Sequence, residues 1–410
     1  MSVIGSKIAD VVLNRIRAQS GARPGGDLAN EAVARVATTK VVCVREAQFS
    51  DFEGVCTLNM RLGQGPDSMD NWRRLWLENP ALDDGKGGSP IGWMLYASQD
   101  VVGFLGTIPL QYEFEGRALR AASTCRFAVD PAYRAFSHLL ILSFFRQKNV
   151  DLFLNTTATV EAGKMMMASK ASPLPQPDYG TVLFWVLDPR PFTRAVFKKL
   201  GVNSSLAGPA AAVASLAVRG DAAIRRRGPR LKRSEYSVKE ISLRDIGQAF
   251  KQFWSDASAE TPRLFARRTP EVMSWHFDPP HNRRKVSVIS CELENKPFGY
   301  VIVRHEGEMT SGFRRSLIAD MMIKNDDPVI LEQLMAMACK ASRKAGSHVL
   351  EIMGFPKGIR QHLLKLKPYS RKYPACPFFY KARERSLHER LSDESVWYAS
   401  PFDGDATLWP

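Results

Sequence analysis

Long hydrophobic runs are missing from this 410-residue sequence. Its longest weakly polar stretch, Leu206 to Val218, contains Gly208 and Pro209 and falls well short of the ~20 apolar residues that span a bilayer. The first residues make no secretory leader, because Lys7, Asp10 and Arg15 interrupt the ~7–15-residue apolar stretch such a leader needs. Cysteine is scarce and scattered. None of the six (Cys43, Cys56, Cys125, Cys291, Cys339 and Cys376) pairs with another at metal-finger spacing, and the seven histidines do not supply the missing ligands. No metal is therefore expected, and the thiols read as reduced, in a cytoplasmic chain. Acid is the minority charge: 42 Asp and Glu against 57 Lys and Arg leave a net charge of +15. A 45% hydrophobic and 24% charged composition is ordinary globular usage, which excludes a disordered, collagen-like or polytopic membrane chain.

What is present is enough for more than one core. At ~150 residues per domain the length predicts two or three domains, and eight tryptophans supply large buried side chains. Residues 1–40 read as a peripheral segment, with Val3, Ile4, Ile8, Val11, Val12 and Ile16 on one helical face before the GARPGG breaker. An internal repeat follows. Val44-Arg45-Glu46 with Asp51 matches Val238-Lys239-Glu240 with Asp245. Trp76 to Pro80 and Trp275 to Pro279 share a Trp-x-x-(Asn or Asp)-Pro signature. Val102-Gly103-Phe104 then matches Phe298-Gly299-Tyr300. Each copy reads as strand, helix, meander of strands, helix, strand, which is a layered α+β sheet. The boundaries expected are 41–200 for the first copy, 201–235 for a basic linker, 236–385 for the second copy and 386–410 for an aromatic tail that docks on the body. The linker ends in Arg225, Arg226, Arg227, Arg230, Lys232 and Arg233. It reads either as a solvated connection or as a patch for anionic lipid or nucleic acid.

This order, with Val129-Asp130-Pro131-Ala132-Tyr133-Arg134 opening a helix, resembles the GCN5-related N-acetyltransferase (GNAT) superfamily. More narrowly it looks like the tandem proteins of that superfamily associated with bacterial exopolysaccharide assembly. The resemblance implies two GNAT-like domains, each a mixed, mostly antiparallel sheet flanked by helices. It also implies acetyl-CoA or another acyl-CoA as donor, held by the fourth strand and the turn that follows. The matching residues are Phe127, Ala128 and Val129 on the strand, then Arg134, Ala135, Phe136, Ser137, His138 and Leu139 in the pyrophosphate turn. Asn155 matches the asparagine that contacts the cofactor arm. Ser137 stands where the family has its first glycine, and Leu139 where it has its last small residue. Ser137 either donates to a phosphate or caps the helix. In the second copy the same turn is Lys324-Asn325-Asp326-Asp327-Pro328, whose carboxylates repel a pyrophosphate.

Family chemistry implies direct acyl transfer to an amine or hydroxyl, the acceptor being a sugar or exopolysaccharide precursor. Spacing assigns no catalytic base. Asp130 reads as a turn cap or an acid, and His138 as a surface residue or a base. The usual tyrosine acid has no counterpart: Lys164 and Met165 to Met167 stand near its place, and Tyr179 comes later. Asp320, on an apolar strand, needs a partner such as Arg314 or Arg315, or else binds substrate. Lys365, Lys367, Arg371 and Lys372 beside Tyr369 and Tyr373 form a second basic cluster. Two other functions stay open. One is a Fem-type transferase that takes amino acids from aminoacyl-tRNA to cell-envelope precursors, which the positive charge suits. The other is a non-enzymatic binding module. A peripheral contact of 219–233 with the inner membrane is expected alongside any of them.

Overall fold

The computed structural model describes residues 41–65, 67–82, 88–202, 204–278, 286–308, 312–373 and 377–409. The helix expected in residues 1–40, Pro279 and Cys376 lie outside them. The described chain opens with β1 (Val42–Glu46), α1 (Phe52–Arg61), α2 (Met69–Trp76) and the meander β2 (Gly92–Ala97), β3 (Asp100–Phe114) and β4 (Arg117–Val129). Then come α3 (Ser137–Phe145), β5 (Leu152–Asn155), α4 (Val160–Ala168), the two-residue β6 (Ser172–Pro173) and β7 (Thr181–Val186). A helical pair, α5 (Pro189–Lys199) and α6 (Ser204–Ile224), leads to the second half. That half begins β8 (Ser237–Ile241), α7 (Gln248–Glu260), β9 (Phe265–Ala266) and α8 (Pro270–Phe277), and continues β10 (Val286–Leu293), β11 (Lys296–Glu306) and β12 (Arg315–Ile323). It closes with α9 (Pro328–Lys344), β13 (Val349–Ile352), α10 (Lys357–Lys365), β14 (Tyr369–Lys372), β15 (Phe379–Ala382) and α11 (Arg385–Arg390).

The sequence repeat has structural work in both halves. Asp51 and Asp245 each close a reciprocal capping box on a short 3-10 turn after the first strand. Gly103 and Gly299 each lie where a helix crosses the sheet. A Cβ on Gly103 would stand 3.4 Å from Leu140 of α3, and one on Gly299 would stand 2.9 Å from Ile330 of α9. The sheets repeat as well. The first runs β1-β2-β3-β4-β5-β15-β6, with β9 also on β3, and the second runs β8-β10-β11-β12-β13-β7-β14. Within the main order, pairing is antiparallel except at β4–β5 and β12–β13.

The two halves exchange a strand. β7, which the sequence places in the first copy, lies between β13 and β14 of the second sheet, and β15 lies between β5 and β6 of the first. Both are strands with neighbours on two sides, and their apolar runs suit any such interior slot. Boundaries at 200 and 236 therefore separate stretches of sequence but not sheets.

The solvated linker expected over 201–235 is a helix from Ser204 to Ile224. Its alanine content outweighs Gly208, Pro209 and Gly220. It packs on α5, where the Thr193 hydroxyl donates to the Ala211 carbonyl at 2.9 Å. The aromatic tail runs along the seam between the sheets, with Trp397, Tyr398 and Phe402 each only 2% exposed. Tyr398 donates its hydroxyl to the Met321 carbonyl (2.7 Å), and the Phe355 amide donates to the Ala399 carbonyl (2.7 Å).

Candidate active-site cleft

β4 pairs with β5 only through Ala121, Ala122 and Ser123, and then runs on to Val129 with β3 as its one strand neighbour among the described residues. The orientation of its free peptide groups follows from its other neighbour. Thr107 on β3 donates its amide away from β4, to the Ile91 carbonyl at 2.9 Å, so Thr107 and Thr124 form a wide pair. The peptide groups of Thr124 therefore face β5, where the pairing of Ser123 with Leu154 ends the ladder, and the cleft between β4 and β5 opens beyond it. The Asp130 amide reaches the Val102 carbonyl (2.8 Å), which makes Gly103–Val129 wide by the same alternation. Between these two positions lies a bulge. Arg126 and Phe127 stand opposite Leu105 alone, and Arg126 takes φ 49°. A bulge twists the strand and re-aims its side chains and amides, a device common beside active sites.

Polar side chains converge on this bulge. Arg126 reaches Asp67 at 3.3 Å and lies 4.1 Å from the ring centre of Trp409 in the tail. Asp67 accepts from Asn71 of α2 (2.8 Å), and Asn71 accepts from Arg74 (2.7 Å). Arg74 also donates to the Trp275 carbonyl (3.0 Å) and to the Leu408 carbonyl. Burial pushes the Arg74 guanidinium down to about 10. The Nε atoms of Arg74 and Arg126, and both amide atoms of Asn59, are buried with no hydrogen-bond partner among the described residues. Asn59 is one turn on from Cys56, whose thiol faces the Asp67 carbonyl at 3.9 Å. Buried polar atoms left without a partner are uncommon in folded proteins.

The tail supplies an acid at the end of β5. Asp405 accepts from Thr156 (3.0 Å), Thr157 (2.9 Å) and the Trp409 ring nitrogen (3.2 Å), while burial raises its carboxyl above the usual range. Gly404 crosses so close to Thr156 that a Cβ there would stand 2.3 Å from its hydroxyl oxygen.

The candidates read from the sequence divide into two groups. Phe127, Ala128 and Val129 line the bulged end of β4, and Asn155 is buried at the end of β5, paired with Phe379. Arg134, Ala135, Phe136 and His138 form an exposed rim on a 3-10 turn (Pro131–Phe136) that flows into α3. Ser137 is buried and turned inward: its amide and its hydroxyl (2.6 Å) both serve the Arg134 carbonyl, with Met165 sulfur 3.2 Å away. Leu139 packs into the first core, and the His138 ring meets the Ala135 carbonyl at 2.8 Å. Asp130 does not cap the turn. It pairs with Arg61 at 2.5 Å.

The second half is closed at the equivalent place. β12 leaves β13 after Leu317 and bulges before Asp320, which is fully buried. Its partner is neither Arg314 nor Arg315 but Arg268, at 3.0 Å, from the loop between β9 and α8. Tyr300 (2.7 Å) and Ser400 (3.2 Å) donate to the same carboxylate. At the start of α9 the Asp327 carboxylate accepts from Val329 (2.7 Å) and Ile330 (3.3 Å), and Asp326 is held by Arg263 (2.7 Å). The amides that would meet an anion are occupied by the protein's own acid. No group of three or more His, Cys, Asp or Glu able to hold a metal occurs among the described residues.

No protein-family model matches the sequence, and no curated protein matches it. Solved structures do. A GCN5-related N-acetyltransferase from Anabaena variabilis aligns at TM-score 0.53 and 11% identity, over 83% of this chain and 73% of that one. A probable N-acyltransferase from Enterococcus faecalis aligns at 0.53 and 11%, over the same 83% and 73%. Saccharomyces cerevisiae N-myristoyltransferase, solved with myristoyl-CoA and inhibitors, aligns at 0.50 and 13%, over 84% of this chain and 81% of that one. The fold is thus the α+β GNAT fold, built on two mixed sheets flanked by helices.

Proposed function

We propose that this chain is an acyltransferase whose working cleft lies between β4 and β5. The donor is acetyl-CoA or another acyl-CoA, and the acceptor is an amine or hydroxyl of a sugar or exopolysaccharide precursor. The observation that carries the reading is the bulged end of β4, free of β5 beyond Ser123, with the peptide groups of Val129 turned into the cleft. An extended pantetheine arm can add to such an edge as a strand does. The acceptor attacks the thioester carbonyl, a β4 amide stabilises the oxyanion, the coenzyme leaves as its thiolate, and a base takes the acceptor's proton. Asp405 is the acid placed to do this at the tail side of the cleft. The fit to the phosphates falls on Arg134, exposed and without an acidic partner among the described residues, since the donors of Ser137 are spent. The closed 3-10 turn favours a second reading, in which aminoacyl-tRNA is the donor.

Titration calorimetry with acetyl-CoA distinguishes them. Saturable binding is expected, weakened about tenfold or more by Arg134→Ala, because a hydrogen bond to a charged group contributes ~1.5–3 kcal/mol. Absence of acetyl-CoA binding, together with tRNA binding that falls steeply with salt, would overturn the first reading in favour of the second.

A further inference from the structure

Two basic clusters far apart in sequence meet on one surface. The Gly228 amide donates to the Leu366 carbonyl (2.9 Å), and Arg227 donates to the Lys367 carbonyl (2.9 Å) while stacking 4.2 Å from the Tyr369 ring centre. Asp221, the acid of this region, is consumed by Arg225 (2.8 Å), Arg227 (2.6 Å) and the Tyr369 hydroxyl (2.7 Å). Arg219, Arg226, Arg230 and Arg233 have no acidic partner among the described residues, and Lys365, Lys367 and Lys372 add exposed cations across the joint. Next to these charges α6 leaves an apolar stripe open. Val213, Leu216 and Ile224 are 69%, 66% and 82% exposed, and with Gly220 and Ala223 they fall within one arc of the helix. Leu231 and Leu364, each 54% exposed, extend the apolar surface toward the cations.

We propose that this face docks the protein on an anionic lipid surface, with the α6 stripe entering the headgroup boundary and the joined arginines and lysines against the lipid phosphates. An exposed aliphatic stripe flanked by cations is the pattern of a helix lying in a membrane interface. Nucleic acid would use the same charges but favours aromatic side chains for stacking over exposed valine, leucine and isoleucine. No helix among the described residues is long and apolar enough to cross a membrane, so the contact is peripheral. The inference is independent of the acyl-transfer reading, because vesicle binding needs no donor.

The test is co-sedimentation of the full chain with vesicles of phosphatidylcholine alone and with about 30 mol% phosphatidylglycerol, in about 0.1 M salt. Binding is expected to the anionic vesicles only. The pair Arg226→Glu with Arg230→Glu is expected to weaken it at least tenfold, since each cation near the surface contributes about fivefold. Leu216→Asp with Ile224→Asp should abolish it with no change in melting temperature, because both residues face solvent. Failure to bind anionic vesicles, equal binding to the neutral ones, or indifference to both double variants would overturn the proposal. So would salt-sensitive tRNA binding that survives Leu216→Asp with Ile224→Asp while vesicles fail to bind.

Discussion

Arg268→Ala is expected to destabilise the fold by about 3–5 kcal/mol, because it strands a fully buried carboxylate. Arg268 and Asp320 are both fully buried, and the guanidinium makes bonds of 3.0 and 3.2 Å to that carboxylate. Burial disfavours the charge on Arg268, but Asp320 outweighs it and holds the guanidinium more firmly protonated than usual. Among the described residues, removing Arg268 leaves Asp320 with only the Tyr300 and Ser400 hydroxyls as donors, too little to hold an ionised acid away from water. Replacing both charges, as Arg268→Met with Asp320→Leu, should recover more than half of the loss. Urea unfolding followed by tryptophan fluorescence measures both. A cost below about 1 kcal/mol for Arg268→Ala would mean that the pair is solvated after all.

That pair also marks how far the sequence could be read. Asp320 was legible as a buried acid needing a cation, because a carboxylate within Leu-Ile-Ala-Asp-Met-Met-Ile has nowhere polar to point. Its partner was not, because proximity in sequence favours Arg314 and Arg315 whereas Arg268 arrives from a loop 52 residues earlier. The longer strands were legible from their apolar runs, whereas the short β6, β9, β14 and β15 were not, and the repeat was legible from Gly103, Gly299 and the two aspartates that cap. The strand exchange was not, since β7 and β15 carry no mark saying which sheet they complete. In the cleft, Phe127 and Asn155 came from the family resemblance. Arg126 was legible as part of the same strand, but its partners Asp67, Asn59 and Arg74 were not, because single polar residues on separate elements make no motif until the chain folds. Asp405 lies in a tail that the sequence marks only by its aromatic residues. Its pairing with Thr156 and Thr157 has no trace in sequence.

Gly404→Ala is expected to cost about 2–4 kcal/mol through two separate effects and, under the function proposed above, to remove acyl transfer with it. The residue sits at φ 74°, where a side chain costs ~1–2 kcal/mol. The new methyl would also fall 2.3 and 2.5 Å from Thr156 Oγ1 and Cγ2, atoms fixed by the strand end and by the bond to Asp405. Either the tail lifts or Thr156 turns away, and both undo the hydrogen bonds that place Asp405. Thr156→Ala removes those two atoms but keeps the Cβ, 2.9 Å from the new methyl, so the double variant should regain most of the steric part of the loss and keep the conformational part. Thermal melts of the four proteins form a double-mutant cycle, and a coupling near zero would show that the tail does not cross β5 at Gly404.

The exchanged strands have a consequence for how this molecule comes into being. During synthesis, β5 and β6 emerge early, yet the strand that belongs between them is β15, near the end of the chain. Until then the nascent first sheet keeps two open edges, the kind of surface that recruits foreign strands. β7 meanwhile waits for a sheet whose other members have not yet been made. Closure depends on contacts between distant parts of the chain, which slow folding through the loop entropy they must overcome. Although the sequence reads as two successive copies, it matures as one cooperative body, and a translation product that stops short of β15 leaves both a gap in its first sheet and no tail along the seam.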